Sequence, residues 1–238
     1  MNSALFPREA PLLSAVKGRL IVSCQARERE PFRNPDFQAA FAQAAVDGGA
    51  AAIRANGEED IRAIRGAVTV PVIGIRKLVQ PDGRRLITPT FDSARALVES
   101  GAEAVALDVT ARGQRFGAIE RLKRIRAELR VPALADIATL DEALGAAAAG
   151  ADAVLSTMRG YTEETADVRA FDLEFIRDLV RQCPAPVIAE GMIETPQQAA
   201  SALEAGAWAV VVGSAITRPV TIARRFSAAL ENRKSSEP

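Results

Sequence analysis

The 238-residue sequence contains no histidine, so neither a Ser-His-Asp triad nor a Cys-His pair can be built from it. Its two cysteines, Cys24 and Cys183, lie far apart without Cys or His neighbours, which speaks against a zinc site, a disulfide framework and metal-assisted chemistry. Charge of one sign is also missing. Thirty Lys and Arg balance 30 Asp and Glu, leaving no cationic field for a phosphate backbone, and there is no lysine-rich arm or aromatic-basic ladder, so nucleic acid is not an expected partner. No apolar run approaches the ~20 residues that cross a bilayer. The N-terminus lacks a charged region leading into an apolar core and a cleavage site. These absences describe a soluble cytoplasmic protein with no membrane partner.

What the sequence has is rhythm. Short β-branched apolar runs alternate with alanine-rich helical stretches about eight times, the number that closes a parallel barrel. The runs predict strands over Arg19–Ser23, Ala50–Arg54, Val70–Ile75, Ala104–Asp108, Pro132–Ala135, Ala153–Ser156, Pro186–Ala189 and Trp208–Val212. Most are apolar throughout, as strands covered on both faces should be. Thr139 followed by Glu142, and Thr195 followed by Gln198 with Pro196 between them, predict capping boxes, and Asn56-Gly-Glu-Glu59 reads the same way. Gly48-Gly49, Gly66, Gly101, Gly150 and Gly206 each stand shortly before a strand, where a left-handed helix end is wanted. The expectation is one (β/α)8 TIM barrel over residues 1–238, with residues 1–18 covering its bottom and 235–238 a frayed tail. Two long connections, Arg76–Thr90 and Thr157–Ala170, are candidates for functional loops.

Barrels of this kind work at the C-terminal ends of their strands. The polar residues there include Gln25, Arg54, Arg76, Lys77, Asp108, Asp136, Thr157, Glu190, Gly191, Gly213 and Ser214. Donors and carboxylates together suit a polar anionic ligand and proton transfer. Gly191 and Gly213, after the seventh and eighth strands, would let backbone N–H groups approach a phosphate, with Ser214 opening a short helix and Arg218 adding a charge; the alternative is that both glycines serve tight turns. Lys77 would become a base if burial or cations such as Arg54 lowered its pKa, and is otherwise a solvated loop lysine. Alternation sends Arg76 and Lys77 to opposite sides and does not tell which faces the mouth. Asp136 either serves the site or braces the turn before Thr139. Glu190 either serves it or pairs structurally with Arg54. Asp108 either orients a ligand hydroxyl or binds Arg112, Tyr161 packs its loop or closes over the site, and Cys24 is read as a small buried residue.

Taken together, Ile21-Val-Ser-Cys-Gln-Ala26, Ile53-Arg-Ala-Asn56, Pro71-Val-Ile-Gly-Ile-Arg-Lys77, Ala106-Leu-Asp-Val-Thr110, Ala135-Asp-Ile-Ala-Thr139, Arg159-Gly-Tyr-Thr162, Val187-Ile-Ala-Glu-Gly191 and Val211-Val-Gly-Ser-Ala-Ile-Thr-Arg-Pro219 closely resemble the N-acetylmannosamine-6-phosphate 2-epimerase family. The resemblance runs from about residue 18 to residue 226. It implies a metal-free, cofactor-free homodimeric barrel that interconverts N-acetylmannosamine 6-phosphate and N-acetylglucosamine 6-phosphate in sialic acid catabolism. It carries proton transfer to Lys77, a second essential group to Glu190, the sugar and its amide to Gln25, Arg54 and Asp136, and the phosphate to Gly191, Gly213, Ser214 and Arg218. Departures from the family pattern at Leu155-Ser-Thr157, Ala138 and Arg112-Gly-Gln-Arg115-Phe116 flank the site without removing its acid or base. Another sugar-phosphate isomerase, or a silent sugar-phosphate binder, is the alternative on the same barrel. A binder would need neither Lys77 nor Glu190.

Overall fold

The structure, a computed structural model, describes residues 11–26, 29–80 and 83–234. Among the described residues there are ten strands: β1 (Leu20–Cys24), β2 (Ala52–Asn56), β3 (Val72–Ile75), β4 (Lys77–Val79), β5 (Arg85–Ile87), β6 (Ala104–Asp108), β7 (Ala133–Asp136), β8 (Ala153–Leu155), β9 (Val187–Glu190) and β10 (Ala209–Val212). Eight of them close a parallel barrel in the order β1-β10-β9-β8-β7-β6-β3-β2. Each predicted strand is present with its bounds moved by no more than two residues. The antiparallel hairpin β4–β5, paired Lys77 to Ile87, was not predicted. It fills the long connection after β3.

The helices are α1 (Pro11–Val16), α2 (Pro35–Asp47), α3 (Glu58–Ala67), α4 (Phe91–Glu99), α5 (Ala111–Arg115), α6 (Ala118–Arg124), α7 (Leu140–Ala148), α8 (Leu173–Gln182), α9 (Pro196–Glu204), α10 (Ser214–Thr217) and α11 (Pro219–Lys234). Both predicted capping boxes form, on α7 and α9, and a third joins Thr90 to Ser93 on α4. The Asn56 cap is a correction. Gly57 occupies that position without a side-chain bond, because the Asn56 carboxamide oxygen instead accepts from the Lys77 backbone N–H at 2.8 Å. Gly66 is another correction: it lies inside α3, while Gly49, Gly101, Gly150 and Gly206 do adopt positive φ.

Two apolar layers hold the barrel. Ile21, Ile73, Ala106, Leu134, Leu155, Ile188 and Val211 fill the interior, whereas Val22, Val72, Leu107, Ala135, Val154, Ala189 and Val212 face the helices. At the N-terminal end Leu12, Leu13 and Val16 of α1 join the interior layer, and the Trp208 indole donates to the Leu13 carbonyl at 2.8 Å. Residues 1–10 and 235–238, the start of the predicted cover and the predicted frayed tail, lie outside the described residues.

The outer layer leaves no room for a side chain at Gly74, in the middle of β3. A Cβ there would stand 2.8 Å from Ala102 Cβ and 3.2 Å from Leu97 Cβ. The α4 segment can therefore lie flat on the strand only because position 74 has no side chain. Replacing Gly74 with Ala should cost about 1–3 kcal/mol, the usual effect of overpacking a filled core. Chemical denaturation should show this as a lower midpoint with an unchanged far-ultraviolet spectrum.

Candidate active site

Side chains alternate along a strand, so the residue two places above an interior apolar residue also points inward. From Ile21, Ala52, Ile75, Ala106, Leu134, Leu155, Ile188 and Val211, this step leads to Ser23, Arg54, Lys77, Asp108, Asp136, Thr157, Glu190 and Gly213. One position at or just past the end of each barrel strand thus assembles a ring of mostly polar residues at the C-terminal end. Arg76 and Lys77 both reach the mouth, and Lys77 is the one that lies among Arg54, Glu190 and Asp136. Lys77 continues the inward phase of Ile73 and Ile75, while Arg76 is drawn into an ion pair with Glu58.

At the centre of the ring is Arg54, 1% exposed. One terminal guanidinium nitrogen donates to Asp136 Oδ2 at 2.6 Å, and the other terminal nitrogen donates to Glu190 Oε2 and, at 3.1 Å, to Thr157 Oγ1. Thr157 in turn donates to Asp136 Oδ1 at 2.6 Å. Burial disfavours the Arg54 cation, but Asp136 and Glu190 more than offset this and raise its pKa. Asp136 has no exposed surface, and burial raises its pKa against the pull of Arg54. The Glu190 backbone is pinned as well: Ser156 Oγ donates to its carbonyl at 2.8 Å and accepts from its N–H at 3.0 Å. Glu190 is therefore fixed at both ends, its side chain 12% exposed.

Above this layer opens a cavity of about 1770 Å³, lined by Gln25, Lys77, Asp108, Thr157, Glu190, Gly191, Gly213, Ser214 and Arg218 among others. Both long connections reach it, with Leu78 and Val79 from one and Tyr161 and Glu164 from the other. Lys77 is open to water in the cavity but surrounded by protein walls. This burial, then the Arg54 cation, pushes its pKa down to about 8, with Glu190 and Asp136 acting in the opposite direction.

The predicted site residues fall into two groups. Lys77, Glu190, Gln25, Gly191, Gly213, Ser214 and Arg218 meet at the cavity; Arg54 and Asp136 lie beneath its floor, with their polar atoms turned to one another. Arg218 is engaged by Glu30 and approaches Ser214 Oγ at 3.5 Å. Gln25 donates to Ser23 Oγ, and its Oε1 is buried with no partner among the described residues. Tyr161 does not pack its loop: it is 63% exposed at the cavity rim. Thr157, one of the polar residues read at the strand ends, was given no role of its own, and neither was Ser156, whose link to the Glu190 backbone has no local sequence signal.

An eight-stranded parallel barrel with a buried Arg-carboxylate cluster under an amine of lowered pKa defines a class: barrel enzymes equipped for proton transfer on a small polar ligand. The particular family follows from comparison. Residues 38–232 match the family model described as "Putative N-acetylmannosamine-6-phosphate epimerase". The chain is 44% identical over 228 residues to the protein of that family named as a 2-epimerase in Caldanaerobacter subterraneus subsp. tengcongensis, covering 94% of this chain and 96% of the relative. It is 46% identical over 227 residues to the one in Enterobacter sp. strain 638, covering 92% and 96%. Among solved structures, the N-acetylmannosamine-6-phosphate 2-epimerase from Clostridium perfringens superposes with a TM-score of 0.86 at 38% identity, covering 96% of this chain and 100% of that one. A thiamine phosphate pyrophosphorylase from Pyrococcus furiosus, 20% identical with a TM-score of 0.57, shares the fold, covering 85% of this chain and 91% of its own. The chain belongs to the N-acetylmannosamine-6-phosphate epimerase family.

Arg54 is the group whose loss the site would tolerate least. Replacing it with Leu strands two carboxylates around an apolar side chain, and breaking a buried pair this way typically costs about 3–5 kcal/mol. Urea unfolding of the Arg54→Leu variant at pH 7 should show a loss of that size, reduced when the pH is lowered enough to protonate the carboxylates.

Proposed function

We propose that this chain interconverts N-acetylmannosamine 6-phosphate and N-acetylglucosamine 6-phosphate by removing and returning the C2 proton of the open-chain sugar. Family membership supports the reaction. The single observation that carries the chemistry is the amine of Lys77, facing inward beside Glu190 with its pKa lowered to about 8. Lowering a lysine from 10.5 to about 8 raises the neutral fraction near pH 7 on the order of a hundredfold. That neutral amine is the base the reaction needs.

In this reading the Lys77 amine takes the proton from C2, and the C–H electron pair moves toward the C1 aldehyde to give an enolate. Return of the proton to the other face of C2 gives the epimer and restores the amine. Glu190, oriented by Arg54 and Ser156, handles the O1 proton and ring opening. Arg54 and Asp136 hold the Glu190 carboxylate and Thr157 in place from beneath the cavity floor. Gln25 presents an unpartnered Oε1 that suits the acetamido N–H. Gly191, Gly213, Ser214 and Arg218 take the 6-phosphate, whose binding energy holds the sugar in position while its bonds rotate.

We further assign a homodimer and a cytoplasmic setting. No helix among the described residues is long and apolar enough to cross a membrane. The last helix, α11, leaves Phe226 70% and Leu230 64% exposed, and from Phe226 to Glu231 every residue is exposed. A helix end with so little packing of its own is marginal in water. A second copy of the chain would cover it. Light scattering should give a dimer mass for the parent and a monomer mass for the Phe226→Asp, Leu230→Asp double variant.

Turnover is tested in deuterated water. Incubating either hexosamine phosphate should give a mixture of both epimers carrying deuterium at C2; a silent binder gives neither. The Lys77→Met variant should lose exchange by at least about a thousandfold while still binding the sugar phosphate, and full exchange would reject Lys77 as the base. For the parent, kcat/KM should rise with pH as the Lys77 ammonium loses its proton, levelling off above about 8.

A further inference from the structure

In the inward ring, Asp108 at the end of β6 has no part in the Arg54 cluster's hydrogen bonding and no role in the reaction above. It is 1% exposed and lines the cavity. Its Oδ1 accepts from the Thr110 backbone N–H at 2.9 Å and from Thr110 Oγ1 at 2.6 Å. Its Oδ2 is buried and accepts no hydrogen bond from any of the described residues. Arg112 and Arg121 are near enough to favour its ionised form, yet neither donates to that oxygen. The carboxylate has little room to turn away: a Cβ on Gly113 would come within 2.2 Å of the Asp108 carbonyl and 2.7 Å of Oδ1, so α5 is pressed directly against it.

A buried carboxylate oxygen without a donor costs free energy in the empty protein, and such groups call for an account. A ligand supplies one. The interior phase of Ala104 and Ala106 points Asp108 into the mouth, and β6 stands four places round the barrel from β10, whose end carries Gly213. A sugar held by its phosphate near Gly213 therefore extends toward β6. We propose that Asp108 Oδ2 accepts a hydrogen bond from a ring-carbon hydroxyl of the sugar, at C3 or C4, and so selects substrates carrying that hydroxyl. A site built to accept from a hydroxyl discriminates strongly against an analogue that lacks it. The inference rests on the epimerase reading, since it takes the phosphate end and the reacting carbon from there.

The test combines two protein variants with two sugars. Asp108→Asn keeps the shape and the Oδ1 contacts with Thr110, and Asp108→Ala removes the acceptor altogether. KM for N-acetylmannosamine 6-phosphate should rise about 10- to 100-fold in Asp108→Ala and less in Asp108→Asn, with kcat changed only a few-fold, in keeping with loss of a hydrogen bond to a charged acceptor. The parent should turn over the 3-deoxy or the 4-deoxy analogue with a comparable penalty, and that penalty should vanish in Asp108→Ala; which analogue shows it identifies the hydroxyl. Because the unpaired oxygen is a liability without ligand, the thermal midpoint of ligand-free Asp108→Asn should equal or exceed that of the parent, where a bracing role predicts a fall. Unchanged KM in both variants, equal deoxy penalties in parent and Asp108→Ala, or a lowered Asp108→Asn midpoint would overturn the assignment. A parent with no epimerase activity would instead reject the reading beneath it.

Discussion

A guanidinium with almost no exposed surface can sit inside a barrel only if carboxylates face it, and the mouth of this molecule is organised around that requirement at Arg54. Asp136 and Glu190 answer it from β7 and β9, and Thr157 joins the two sides. The three charges do not cancel: one cation faces two carboxylates, leaving the cluster net negative when both acids are ionised. Without Arg54, Asp136 would have to be neutral to remain where it is, and Glu190 would be free to swing into solvent. The cluster fixes a geometry more than it adds stability, and the fixed element is the carboxylate that meets the cavity.

The same cluster explains why Lys77 is intermediate in character. Lys77 feels a nearby cation in Arg54 and the two carboxylates beyond it. The carboxylates alone would keep the ammonium fully charged. Burial and Arg54 tip the balance, and the result is a pKa near the middle of the useful range for proton transfer. In a chain with no histidine, this is how an amine comes to serve where an imidazole often does.

Most of the barrel was legible because its physics is local. Two-sided burial makes strands apolar throughout, and capped helices announce themselves at Thr139 and Thr195 through short-range hydrogen bonds. The site was legible in part for the same reason: its residues follow immediately on apolar runs. What sequence could not supply was phase across a break. Arg76 and Lys77 adjoin the end of β3, and only the closed barrel, with Ile73 and Ile75 inside it, shows that Lys77 is the inward one. Asn56 was misread because its local pattern fits a helix cap, whereas a backbone N–H from a different strand claims its oxygen. Non-local competition of that kind leaves no trace in neighbouring residues. The β4–β5 hairpin was missed because its strands are three residues each, too short to show alternation.

That hairpin bears on function through its anchorage. Thr88, just past β5, adopts φ of +49°, a strained value for a β-branched residue. The strain is held by three hydrogen bonds: its N–H donates to the Arg76 carbonyl at 2.7 Å, its Oγ1 donates to the Ala106 carbonyl at 2.6 Å, and the same oxygen accepts from the Arg76 N–H at 3.1 Å. Both ends of the hairpin are thereby tied to the barrel wall beside Lys77. A lysine on a free loop would spend its time extended into water with an ordinary pKa. Tied at Thr88 on one side and by its own N–H to Asn56 on the other, the backbone at Lys77 cannot retreat, so the amine remains where burial and Arg54 act on it. The strained threonine and the asparagine that does not cap its helix thus serve one end, which is to keep a single amine over the ring of carboxylates.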